Sequence, residues 1–120
     1  MNTQQIVTTK SGVQKIGKPV SPELPRVKDP NMNLRDRLND ILLMEKQNLS
    51  NYQTGINEMI NDDLRQLLID NRNRLQGIQV RFFEELFNLG EYQADLASPA
   101  QIADSADVFT GYKTQLPLKQ

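Results

Sequence analysis

The chain contains no cysteine and no histidine. Without cysteine there is no disulfide, no zinc–thiolate cluster and no thiol nucleophile. Without histidine, the commonest general base and the commonest metal ligand are both missing. Serine–histidine and cysteine–histidine catalysis are therefore excluded. Long apolar runs are missing as well. No stretch approaches the roughly 20 residues of a membrane span, and the N-terminal MNTQQIVTTK lacks the apolar core of a secretory signal. These features point to a protein made in a cytosol, with no membrane partner. Net charge is −1, so no global field recruits nucleic acid. The hydrophobic share, 38%, is below the usual range for globular chains, so part of the sequence is expected to stay outside a packed core.

What the chain does have is amide and unevenly placed charge. Asn and Gln number 11 and 12 among 120 residues, which suits a solvated, contact-rich surface. Residues 1–32 carry Lys10, Lys15, Lys18, Arg26 and Lys28 against Glu23 and Asp29, a net of +3, leaving −4 for the remainder. Pro19, Pro22, Pro25 and Pro30 crowd the same segment, removing amide donors and favouring extended backbone. With few large apolar residues to offset the entropy of ordering, residues 1–32 are expected to be a flexible leader.

A helical period begins at Asn33, a suitable N-cap, and runs to about Ile60. Leu34, Leu38, Ile41, Leu42, Leu49, Tyr52, Ile56 and Met59 recur at steps of three and four. Asn61 or Asp62 caps a second helix, with Asp62 and Asp63 at its positive end. Its stripe is Leu64, Leu67, Leu68, Leu75, Ile78, Phe82, Leu86 and Leu89, joined by Phe83, and Gly90 supplies the stop. Two long helices with almost no loop must double back as an antiparallel hairpin. Tyr92 and Leu96 are placed to fold over its end. Ser98 as cap and Pro99 at the first helical position predict a short C-terminal helix. The expected fold class is all-α, organised as leader 1–32, hairpin 33–92 and C-terminal helix with tail 93–120.

A two-helix hairpin covers only one side of each apolar face. The economical cover is a second copy, giving a homodimeric four-helix bundle or a higher assembly; the alternative is the C-terminal segment folding back over the face. The expected core and contact residues are Leu38, Leu42, Glu45, Tyr52, Ile56, Leu68, Asn71, Leu75, Ile78, Phe82 and Phe83.

The segments RDRLNDILLMEKQNLSNYQTGINEMINDDLRQLL and IQVRFFEELFNLGEY resemble the spore coat protein F family. The elements that carry the likeness are Leu38, Asp40, Leu42, Glu45, Lys46, Tyr52, Asn57, Glu58, Met59, Leu64, Arg65, Leu86, Phe87, Gly90 and Tyr92. The resemblance spans roughly residues 34–92. It implies a ferritin-like half-bundle from a spore-forming Gram-positive bacterium, synthesised in the mother-cell cytoplasm and built into the spore coat. The implied partners are other spore coat proteins, and the implied role is structural, without catalysis.

Glu45 interrupts the apolar stripe and admits three readings: half of a metal site, a partner of Arg74 or Arg81, or a side chain reaching water at an edge. Ferritin-like di-iron bundles use Glu from one helix and Glu-x-x-His from the next. Here Asp70 is followed three positions later by Asn73, and Asp70 is about two turns out of register with Glu45. No metal or other cofactor is therefore expected. Asn71 falls opposite Tyr52, where a hydrogen bond would satisfy both. Glu84 and Glu85 point in different directions, so they do not form a catalytic pair. SGVQKIGK has the wrong glycine spacing for a phosphate loop. Arg65, Arg72, Arg74 and Arg81 are scattered among acids and form no nucleic-acid stripe. Met44 and Met59 are expected as core filler.

Overall fold

Two helices dominate the computed structural model, which describes residues 1–25 and 30–117. Residues 26–29 and 118–120, parts of the expected leader and tail, lie outside the described residues. The first helix, α1, spans Leu34–Glu58. Asn33 starts it: its side-chain oxygen accepts from the Asp36 amide at 3.0 Å, and Asp36 accepts in return from the Asn33 amide at 3.2 Å. This reciprocal capping satisfies two donors that a helix start otherwise leaves orphaned.

The second helix, α2, spans Asp62–Asn88 and is capped by Asn61, whose Oδ1 accepts from the Leu64 amide at 3.0 Å. Arg65 pins the bend between the helices. Its guanidinium donates to the Met59 carbonyl at 2.5 Å and to Asp62 at 2.6 Å. At the far end, the Gly90 amide donates to the Phe87 carbonyl and the Glu91 amide to the Leu86 carbonyl. That crossed pair requires a left-handed residue, and Gly90 supplies φ +73°.

The fold is mostly helical, but it also contains a small sheet that the expected all-α class lacked. Strand β1 is Ile6–Thr8, β2 is Gln14–Ile16 and β3 is Ala94–Asp95. They form an antiparallel sheet in the order β1-β2-β3, with Ile6 opposite Ile16 and Lys15 opposite Asp95. The segment expected to be a flexible leader therefore contributes two of the three strands. Their origin is local: β-branched Ile6, Val7 and Thr8 precede a Ser-Gly turn in which Gly12 takes φ +86° and the Thr9 amide donates to the Val13 carbonyl at 2.8 Å.

The third helix, α3, spans Pro99–Gly111 and continues as a single 3-10 turn, Tyr112–Gln115. Ser98 caps it reciprocally with Gln101. Helical structure thus extends into the stretch read as the C-terminal tail. Among the described residues, α3 contacts only its own 3-10 extension, and residues 99–117 are all exposed. The radius of gyration is 20.2 Å, against about 14 Å for a compact chain of this length.

The apolar core sits at one end of the hairpin. Leu38, Leu42 and Leu86 form it, with Leu86 fully buried, and Phe82, Phe83, Leu89 and Tyr92 pack around it. Tyr92 meets Phe83 edge-on at 4.3 Å between ring centres, and Lys46 lies 5.5 Å above the Tyr92 ring. Tyr92 thus folds over the hairpin end as expected, whereas Leu96 stays exposed.

Candidate interaction face

The two ends of the hairpin differ in what covers them. At the end holding residues 34–45 and 82–92, the leader and the post-helix segment close over the helices. The Ser21 amide donates to the Leu89 carbonyl at 2.8 Å, and Gln93 Nε2 donates to the Lys18 carbonyl at 2.9 Å. Gly90 lies against the backbone of Lys18 and Pro19 so closely that an added Cβ would collide with their carbonyl oxygens. Arg35 ties three segments together. It donates to Glu91 Oε1 at 2.6 Å and to the Pro25 carbonyl at 2.6 Å. Both charged side chains are mostly shielded, and the hydrogen bond to Glu91 raises the Arg35 pKa above its ordinary value.

No such layer covers the end near the bend. Among the described residues, none in 46–58 of α1 or 62–85 of α2 is fully buried. Yet this is where the stripe runs through Leu49, Tyr52, Ile56, Leu68 and Leu75, all only half-buried. With about 100° between successive residues, Met44, Asn48 and Gly55 on α1 fall on the same side of the hairpin as Leu67, Asn71 and Ile78 on α2. Met44, Leu67 and Ile78 are exposed, as is Leu64 at the start of α2. Between the helices, Asn51, Tyr52, Gly55 and Leu68 line a shallow, almost wholly apolar depression of about 220 Å³.

The expected site residues divide along this line. Leu38, Leu42 and Glu45 are buried, and Phe82 and Phe83 pack at the covered end. Tyr52, Ile56, Leu68, Asn71 and Leu75 are half-buried and Ile78 is exposed, all on the uncovered part. Met44 does not fill the core; it is exposed.

Glu45 does not form the ion pair expected with Arg74 or Arg81. It is buried, and its Oε2 has no hydrogen-bond partner. Arg74 and Arg81 are both exposed. The helix rotation explains this: Glu45 points at α2, whereas Arg74 and Arg81 lie toward the outer edge of α2. Asp70 faces solvent and accepts from Gln66 at 2.9 Å. No group of three or more acidic side chains able to hold a metal ion occurs among the described residues. Nor does a hydrogen bond join Tyr52 to Asn71 among them, although both are half-buried.

Sequence reasoning missed the closure around Arg35 and Glu91. Its donors and acceptors are largely backbone groups, which leave no side-chain pattern, and the ion-pair partners are far apart in sequence. The uncovered part of the hairpin presents an apolar surface. No helix in the described residues is long and apolar enough to cross a membrane.

Comparison with known families gives one match. The Coat F domain model matches residues 33–95, more than half of the 120-residue chain. The matched span begins at the cap of α1 and ends with β3, leaving β1, β2 and α3 outside it. No curated protein and no solved structure matches the chain.

Proposed function

We propose a structural role in the bacterial spore coat, from the premise that the chain belongs to the Coat F domain family. The protein acts by helix association, not by catalysis. It is made in the mother cell and deposited in the coat. The observation that carries this reading is the uncovered half of the hairpin, where Tyr52, Ile56, Leu68 and Leu75 stay half-buried beside exposed Leu64, Leu67 and Ile78. Monomers seldom leave a continuous apolar patch of that kind open. A second hairpin laid on it would complete a four-helix, ferritin-like bundle. Replacing Ile56 and Leu68 with aspartate should abolish association while leaving the covered end folded. Extracts of purified spore coats from cells producing the native and double-variant chains test the role. The native chain should be retained in the coat fraction and the variant lost. Equal retention of both would reject helix association as the mechanism.

A second reading, an adaptor that captures another coat or regulatory protein, is favoured by α3, an exposed helix that packs against neither long helix. Deleting residues 1–32 or α3 separately, with association measured alongside partner recruitment, distinguishes the two readings.

A further inference from the structure

The chain presents two unpartnered apolar surfaces. One is the open end of the hairpin. The other is α3, whose Ile102 and Phe109 lie on one side at helical spacing, with Asp104 and Asp107 on the opposite side, followed by Tyr112 on the 3-10 turn and Leu116 just past it. All four apolar residues are exposed, Phe109 at 71%. We propose that α3 is an exchange arm that seats in the open face of a second copy of this chain, with Phe109 entering the depression between Tyr52, Gly55 and Leu68. The proposal rests on the self-association reading above, but makes the α3 of the second copy, rather than its hairpin, the occupant of the depression.

Three observations favour this occupant. The dimensions fit. From Ile102 to Phe109 is about 10 Å along α3, which fits within the open stretch from Met44 to Ile56, about 18 Å at the usual helical rise. The depression also fits, because about 220 Å³ exceeds the roughly 150 Å³ known to accept a benzene ring. Finally, the root of the arm is held away from the chain's own depression. The Leu96 amide donates to the Gln14 carbonyl at 3.4 Å, and Asp95 pairs with Lys15 at 3.3 Å, so only Ala97 and Ser98 separate the anchored strand from α3. Leu68 lies about 30 Å along α2 from Leu89, where the chain leaves that helix, while Phe109 is about 15 Å from the start of α3. A neighbour's depression carries no such constraint, and a helix in an apolar groove is a common mode of recognition.

The test uses the full chain in two ways. In sedimentation velocity, Phe109→Ser should convert the associated parent to monomer at the same concentration, with helical circular dichroism kept, since α3 contacts neither long helix. The parent has no cysteine, so single thiols report contacts unambiguously. A Ser105→Cys chain mixed with an Asn51→Cys chain should give a link joining one of each through a short bis-maleimide. If Phe109→Ser associates like the parent and no mixed link forms, arm exchange is wrong while hairpin association stands. A link within one chain carrying both cysteines, in a monomer, would also overturn it. A monomeric parent would overturn both this inference and the self-association beneath it.

Discussion

One continuous leucine stripe runs the length of the hairpin, yet its two halves are buried to different degrees. At the covered end, Leu38, Leu42, Leu86 and Phe87 are inside. Toward the bend, Leu49, Tyr52, Ile56, Leu68 and Leu75 occupy equivalent helical positions and are only half-buried. The difference lies in the third layer, not in the helices. Backbone from residues 17–25 and the ring of Tyr92 cover one end, held by Arg35 and Glu91, and no comparable layer among the described residues covers the other. The two-helix unit is thus buried where a third element closes it and half-exposed where the described residues supply none.

The comparison can be broken first at Leu86. Leu86→Ala removes a fully buried side chain and should cost about 3 kcal/mol or more, read as a lower urea midpoint. A cost below about 1 kcal/mol would mean that this end is not the core. Next is the closure. Arg35→Met leaves Glu91 without its donor and should cost about 2 kcal/mol. Because the Arg35 pKa is raised, the contribution of the guanidinium is complete below its ordinary value and is lost only as pH climbs past the raised one, so thermal melts should show no arginine titration near neutrality.

The third prediction separates the ends most sharply. Leu68→Ala should cost about 1 kcal/mol in dilute solution and, under the proposed association, more as protein concentration rises, because the side chain is only half-buried within one chain. A cost independent of concentration would make the uncovered half an ordinary surface. Glu45→Leu should stabilise the chain by about 1 kcal/mol, since it removes a buried oxygen without a partner. Destabilisation would reveal a partner supplied from outside the chain. The smallest effect belongs to Leu43, which is 67% exposed and off the stripe. Leu43→Ser should change stability by less than about 0.5 kcal/mol and leave association unchanged.

Much of the helical framework was legible in the sequence because its signals are local. Asn33, Asn61 and Ser98 cap where their side chains suit capping, and Gly90 stops α2 by taking the conformation glycine favours. The third strand was not legible, since β3 is two residues long and joins β2 from about 80 residues away, whereas the local β1–β2 hairpin was masked by the proline and charge content of the leader. The docking of the leader was hidden for a related reason: it is made through the amide of Ser21 and the carbonyls of Lys18 and Pro25, and the prolines around them suggested an unattached segment. Glu45 shows the limit at the site itself. Periodicity placed it on the stripe, but only the helix rotation keeps Arg74 and Arg81 out of its reach.

The most direct test of the central claim, that the uncovered half of the hairpin is an assembly surface, is sedimentation velocity of the intact chain at tens of micromolar. The account predicts a species of two or more copies that reverts to monomer when Ile56 and Leu68 are both replaced by aspartate. A parent chain that sediments as a clean monomer would contradict it.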